Sequence, residues 1–506
     1  MPVLDLLVVG ITSGASLLFS IVVISMLADK YESSKLTSFV AILGLTLCTI
    51  FVSLIPIDIY NVSSAIDPDT GARTDFYDEA IERADVIKTI YNISFIVILC
   101  YIFFLVPFAY FWFEEDDFDI SNKTRFFATL KYTVFSILAF VFLFILGALF
   151  QSSDSDSTVD WLKKLLDGHS SFDSAVLFAS TVCACIGACF FACYSSYGLA
   201  SLPIALISTL CKKENKEDML MRQDLEAELA LASDKRRVLL STKAPSRKVR
   251  AVEKRQESLR EQLSLTRRKV KESSKVLRIM SPFFGLLGLG AVTVSLVVVV
   301  SYCTTVVDQV SNHDELSRYV VSAPRVVNPL DAILNWGVPY FPLNVLFLAV
   351  IVVYLVISTI FSVCRLGIRI LCVKLYRVRI KRTTPQGLLL LVVVVLSSSL
   401  CISLYSTSLA PSYVSFGTQV YKNETSGELI PCSLSVLNTT DCLLSQIGVI
   451  NGVSTVAFPL FSSVYFYCSI VFIALFVITL LWVILRRSCC GYSDDDADSD
   501  DEEFIA

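Results

Sequence analysis

The chain has 506 residues, of which 54% are hydrophobic, 11% aromatic and only 18% charged. That balance excludes an ordinary soluble globule, because apolar runs of about 20 residues, enough to cross roughly 30 Å of hydrocarbon as helix, recur along it. The net charge of −5 says little as an average, since basic and acidic residues occupy different segments.

Taken in order, the apolar runs predict an all-α polytopic membrane protein with about nine transmembrane helices. The first five fall near 6–26, 39–57, 90–113, 134–149 and 176–197, and the last four near 282–307, 343–364, 388–407 and 464–485. The first run has one acidic residue and no basic n-region, so it reads as a span and not as a cleavable signal. The expected organisation is a five-helix membrane half at 1–210, a charged helical insert at 211–280, a four-helix half at 281–485 with a loop at 411–460, and an acidic tail at 486–506.

Charge orients the spans. Nine crossings put the two termini on opposite sides. With the N-terminus placed outside the cytosol, the cytosolic segments hold 33 of the 42 Lys and Arg residues and the opposite loops hold seven. The insert alone contributes 20, yet the bias survives its removal, at 13 against seven. The loop at 411–460 then faces an oxidising, luminal compartment. Cys432 and Cys442 in it read as a disulfide closing a small hairpin, the competing reading being two free thiols. The same loop carries the sequons at Asn423 and Asn438, and Asn61 begins a third one close to the membrane.

The insert reads as two helical arms broken near Pro245, with Leu263, Val270 and Leu277 repeating every seven residues in the second. Three readings stand: a solvated linker that sets topology, a docking arm for a partner, or a basic face on anionic lipid. The tail opens with Cys489 and Cys490, candidates for palmitoylation at the membrane edge, and continues into an acidic run.

Chemistry is scarce. There is no P-loop motif, and His169 and His313, the only histidines, lie far from any cluster with metal-ligand spacing. No nucleophile–base pair stands out, so the expectation is no enzyme, no catalytic residue, no bound metal and no cofactor of its own. Pro56 and Asp58 at the end of the second span, with Asp331 in the proline-rich piece 320–342, are candidates to line a luminal vestibule. The competing reading of Asp58 is a polar residue at a helix end. The piece 320–342 is too broken by proline to span, and reads either as an interfacial lid or as a loop packed on the bundle. In the fifth span Ala184, Ala188 and Ala192 repeat every four residues beside Cys185, Cys189 and Cys193, a spacing that permits close helix packing and leaves thiol ligation as the lesser reading.

Several stretches resemble one family. LIPIDIY at 54–60, PFAYFWFEEDD at 107–117, SYGLASLPIALI at 196–207, RTTPQGLLLL at 382–391 and SLAPSYVSFGTQVY at 408–421 are similar, in order, to the limb-region (LIMR-type) membrane proteins, and within them to a lysosomal cobalamin-exporting subgroup. The resemblance implies a glycosylated nine-span protein of the lysosomal membrane that moves cobalamin (vitamin B12) as cargo to the cytosol. It implies work with a lysosomal ABC half-transporter and a cytosolic cobalamin chaperone, and a second role with clathrin adaptors in endocytosis of the insulin receptor. The latter would place the protein at the plasma membrane or in endocytic vesicles as well. No cobalamin-ligand motif transfers onto named residues, and no clean sorting signal is present. The rival class is a receptor or adaptor that anchors and recruits partners without conducting solute.

Overall fold

The computed structural model describes residues 2–29, 34–115, 122–150, 171–208, 229–230, 233, 282–311, 326–370, 373–378, 383–422, 428–433 and 441–490. Among these, nine helices are long and apolar enough to cross a membrane. They are α1 (Pro2–Leu27), α2 (Lys35–Ser63), α3 (Tyr77–Glu114), α4 (Asn122–Phe150), α5 (Ser171–Phe190, running on through Phe191–Ser195 to Ser196–Ser208), α6 (Pro282–Ser311), α8 (Leu343–Leu366), α9 (Pro385–Leu409) and α12 (Pro459–Cys490). The expected all-α polytopic architecture is observed.

Three shorter helices lie between the spans: α7 (Pro329–Trp336), α10 (Pro411–Phe416) and α11 (Gln446–Ala457). Two antiparallel hairpins complete the described fold, β1 (Ile368–Ile370) with β2 (Val373–Tyr376), and β3 (Val420–Lys422) with β4 (Leu429–Pro431). Pro at the first turn starts α7, α9 and α10, where a missing N–H costs nothing. The side chains of Asn328, Thr384 and Ser445 cap α7, α9 and α11.

The segment 411–460, expected as a loop, is therefore corrected. Among its described residues, α10 and α11 pack into the core, with Tyr413 and Ile447 fully buried, and β3 and β4 pair between them. These helices are too short to span, so a search for 20-residue apolar runs passes over them. The insert at 211–280, apart from residues 229–230 and 233, and the tail beyond Cys490 lie outside the described residues.

The chain divides into a larger unit, Met1–Ala200 with Val294–Leu480, and a smaller one, Ser201–Thr293 with Leu481–Ala506. In the smaller unit Gly288 lies against Leu206 and Ile207. The larger unit holds the extended core, and α9 is its centre: 83% of its apolar window is buried, against 11% for α4. Its run Ser397–Ser399 is small, and the Ser398 and Ser399 hydroxyls donate to the carbonyls of Val394 and Leu396 one turn back, so those two need no water. Small residues permit backbone-to-backbone approach: a Cβ at Gly187 of α5 would strike the Ser397 backbone, and one at Gly198 the Ser358 backbone of α8. Ala184, Ala188 and Ala192 are all buried on this face.

Two helices carry π turns, at Tyr101–Leu105 in α3 and Phe191–Ser195 in α5. Each widened turn brings a tyrosine to a distant backbone. Tyr101 donates to the Val40 carbonyl at 2.8 Å, and the Tyr194 hydroxyl accepts from the Arg369 N–H at 2.9 Å.

Candidate functional site

Among the described residues Asp58, Asp308 and Asp331 are buried, and Asp58 and Asp331 sit at the end of the larger unit that also holds the disulfide. Asp58 sits in the last turns of α2 and is only 1% exposed. Its carboxylate accepts from the Gln446 N–H at 3.2 Å and the Ile447 N–H at 2.8 Å. Those are first-turn donors of α11, which have no partner inside their own helix, and a negative charge also complements the positive end of the helix dipole. Ser445 completes that cap: its hydroxyl accepts from the Gly448 N–H at 3.1 Å and donates to the Val414 carbonyl of α10 at 2.7 Å.

Asp331 repeats the device from another helix. It lies on α7, 6% exposed, and accepts from Ser412 N–H at 3.2 Å and Tyr413 N–H at 3.0 Å in the first turn of α10. Burial pushes its carboxyl up to about 6, and the two N–H donors pull it back part of the way. The helix that presents it is fixed in turn by Asn328, whose side-chain N–H donates to the Ser301 carbonyl at 3.3 Å and the Thr305 hydroxyl at 3.2 Å on α6. Thr305 donates on to the Ser408 carbonyl of α9 at 2.7 Å.

The belt closes through the hairpin. Gly417 takes φ +62°, and a Cβ there would strike the Ser63 hydroxyl, which accepts from Thr418 N–H at 3.3 Å. Gln419 donates to the carbonyls of Phe416 and Leu443 and accepts from Leu443 N–H at 2.8 Å. Cys432 and Cys442 are joined in a disulfide next to Phe416. Outside it, Arg73 pairs with Asp441, whose carboxyl is held below the usual range by that guanidinium, and stacks 4.5 Å over the Tyr77 ring.

These contacts correct two expectations. Asp58 and Asp331 do not line a water-filled vestibule: all four carboxylate oxygens cap helix starts in a dry interior, while Pro56 is half-buried one turn away. Asn61 is not presented to a glycosylating enzyme, because it lies inside α2, 4% exposed, and its amide nitrogen donates to the Ala80 carbonyl at 2.9 Å. Asn423 and Asn438 lie outside the described residues, as do the side chains of Cys489 and Cys490 at the end of α12. The piece 320–342, left open between lid and packed loop, contains α7 and a 3-10 turn at Val338–Tyr340. Asn328, Ser445, Gln419 and Ser63 had not been singled out. Asn328-Pro329 and Ser445 were the available signals, since both are helix-start residues ahead of apolar stretches.

A partly open cavity with about 10 Å³ of water-accessible space lies between α3, α5, α9 and α11, lined by Phe95, Ser180, Thr181, Ser403 and Ser454 among others. It falls below the roughly 300–1,000 Å³ of ordinary small-molecule sites. The Ser454 hydroxyl in it is buried without a partner. The thiols of Cys189 and Cys468 approach to 4.0 Å, yet among the described residues no group of three or more His, Cys, Asp or Glu side chains could hold a metal.

Comparison with known proteins decides the family. The sequence profile described as LMBR1-like membrane protein matches residues 6–283. The chain belongs to this LMBR1-like family. Across nearly its whole length this LMBR1-like protein is 32% identical to a Dictyostelium discoideum protein named "Probable lysosomal cobalamin transporter", covering 95% of both chains. It is 25% identical to a Nematostella vectensis protein of the same name, over 97% of this chain and 96% of that one. It is 28% identical to the Xenopus laevis "Lysosomal cobalamin transport escort protein LMBD1", over 98% and 97%. No solved structure matches significantly.

Proposed function

We propose that this protein is a lysosomal membrane component of cobalamin export that works as an escort and structural partner of a lysosomal ABC half-transporter, with a cytosolic chaperone receiving the cargo. What carries the reading is similarity over nearly the full length to proteins named for lysosomal cobalamin transport and, in one case, transport escort. The disulfide end then faces the lumen, where Cys432–Cys442 and the sequons at Asn423 and Asn438 belong. The interior supports escort over conduction. The described cavity has about 10 Å³ of water-accessible space, far too small for a corrin macrocycle. Of the buried carboxylates among the described residues, Asp58 and Asp331 are occupied as helix caps.

The small size of the described cavity also favours a second reading, an adaptor of the kind that recruits clathrin adaptors to the insulin receptor through its cytosolic segments. The test is release of labelled cobalamin from acidified proteoliposomes holding this protein alone, the ABC half-transporter with ATP, or both. Release only with both supports the escort. Release by this protein alone makes it a conductor. Undiminished release by the ABC protein without it leaves the adaptor.

A further inference from the structure

We propose that α7 and the turn after it form an interfacial plate whose outer face inserts into the membrane leaflet on the disulfide-bearing side, its partner being the headgroup–acyl boundary of phospholipid. The inner face of the plate is fully committed to protein. Leu330 and Leu334 are 0% and 1% exposed, Leu330 N–H donates to the Ser301 hydroxyl at 3.2 Å, and Asp331 caps α10.

The outer face has the opposite character. Val327 and Trp336 are each 78% exposed, Tyr340 62% and Ile333 40%, with Phe341 beside them stacked on Tyr60 of α2 at 5.3 Å. A face turned to water on a short amphipathic helix carries charges. Here Asp331 is the only charged residue from Val326 to Cys364, and it points inward. The outer face therefore has nothing that water would solvate well except Asn335.

Continuity identifies the occupant. Phe341 leads straight into α8, whose outward residues Leu343, Leu346, Val350 and Val353 are exposed along a membrane-spanning helix. The apolar surface of the plate is thus the end of a lipid-facing stripe. Its tryptophan and tyrosine stand where a span meets the aqueous boundary, the position where amphipathic aromatic rings are enriched. A soluble partner would have to cover a face that runs without a break into hydrocarbon. Lipid covers it with no further assembly.

The experiment places the full chain in phosphatidylcholine nanodiscs and reads tryptophan emission. Trp112, Trp161 and Trp482, the other three tryptophans, are replaced by Phe. Lipid brominated near the headgroup should quench most of the Trp336 emission, and deep-brominated lipid and aqueous iodide should quench it much less. If the triple variant fails to fold, the same quantity is the difference in quenched emission between the unmodified protein and Trp336→Phe. Strong iodide quenching with no bromolipid effect would overturn the proposal and leave a water-facing surface. Resistance to both quenchers would overturn it too, because another protein surface would then cover the plate.

Discussion

The two ends of the larger unit solve the same problem with opposite chemistry. At the disulfide end, charge is taken inside: Asp58 and Asp331 are buried and each ties a long-range pair of helices through backbone N–H donors. At the other end, charge stays outside. Arg365, Arg369 and Arg377 are exposed around the β1–β2 hairpin, and the stretch 365–382 holds seven basic residues and no acidic one. Exposed and half-buried side chains make the connections there. Tyr110 meets Tyr376 at 3.1 Å, Tyr376 reaches Gln386, and Gln386 donates to Glu114. Buried charge–backbone bonds are strong and costly to break, whereas exposed charges contribute little to stability and much to orientation in the membrane. The disulfide end is thus built for rigidity, and the basic end keeps its charge on the surface.

That contrast can be broken most directly at Asp58. Asp58→Ala removes two charge-assisted bonds and leaves N–H donors of α11 buried, so a loss of about 3 kcal/mol or more is expected, read as the unfolding midpoint in detergent. Asp58→Asn, which keeps an acceptor, should recover part of it. An unchanged midpoint for Asp58→Ala would refute the capping role. Next in size is the disulfide. Cys432→Ser with Cys442→Ser opens a loop of sequence separation 10, and a loss of about 2–3 kcal/mol is expected. The reductant sensitivity of the unmodified protein should vanish in the double variant.

Asp331 sharpens the comparison through pH. Its carboxyl is pushed up to about 6 in the fold from an ordinary 3.8, so the folded chain binds the proton more tightly than the unfolded one. Stability from this group is therefore fully present below pH 3.8 and is lost as pH rises through 6, by roughly 3 kcal/mol in all. An acidic compartment favours the packed arrangement. Asp331→Asn should flatten the dependence of the unfolding midpoint on pH between 4 and 6, and a slope that persists would assign it to another group.

The exposed pairs should matter least. Tyr376→Phe at the basic end removes half-buried hydroxyl contacts and should cost about 1 kcal/mol or less by thermal unfolding. Arg73→Ala at the disulfide end removes a solvent-exposed pair with Asp441 and should leave the midpoint nearly unchanged at any salt concentration. A large effect there would mean that the outer pair, and not the buried caps, holds this end together.

How much of this was legible differs by element. The spans were, because a run such as Leu388–Val395 has no alternative to burial or lipid, and their number and order follow from apolar length alone. The pairing of Cys432 with Cys442 was suggested by compartment, and the alanine stripe of α5 by small-residue spacing. Asp58 and Asp331 were noticed for a sound reason, the cost of charge near hydrocarbon. The helix-end reading of Asp58 agrees with its place in α2, and the vestibule reading of both does not agree with their helix-capping bonds. Their partners are 388 and 81 residues away at the closest donors, and no local pattern connects a carboxylate to a remote helix start. Asn61 failed for a related reason: a sequon describes three residues, while glycosylation needs the amide to be free, and here it is bonded to Ala80.

The sequence by itself determined that this chain is a helical membrane protein and which segments are long and apolar enough to cross. Those properties are sums over residues against a uniform solvent, so they can be read one stretch at a time. Only the tertiary structure decided that α10 and α11 are core elements and that Asp58 and Asp331 are caps and not a vestibule. Each of those depends on which backbone donor lies beside which distant carboxylate, a relation that exists only once the helices have packed.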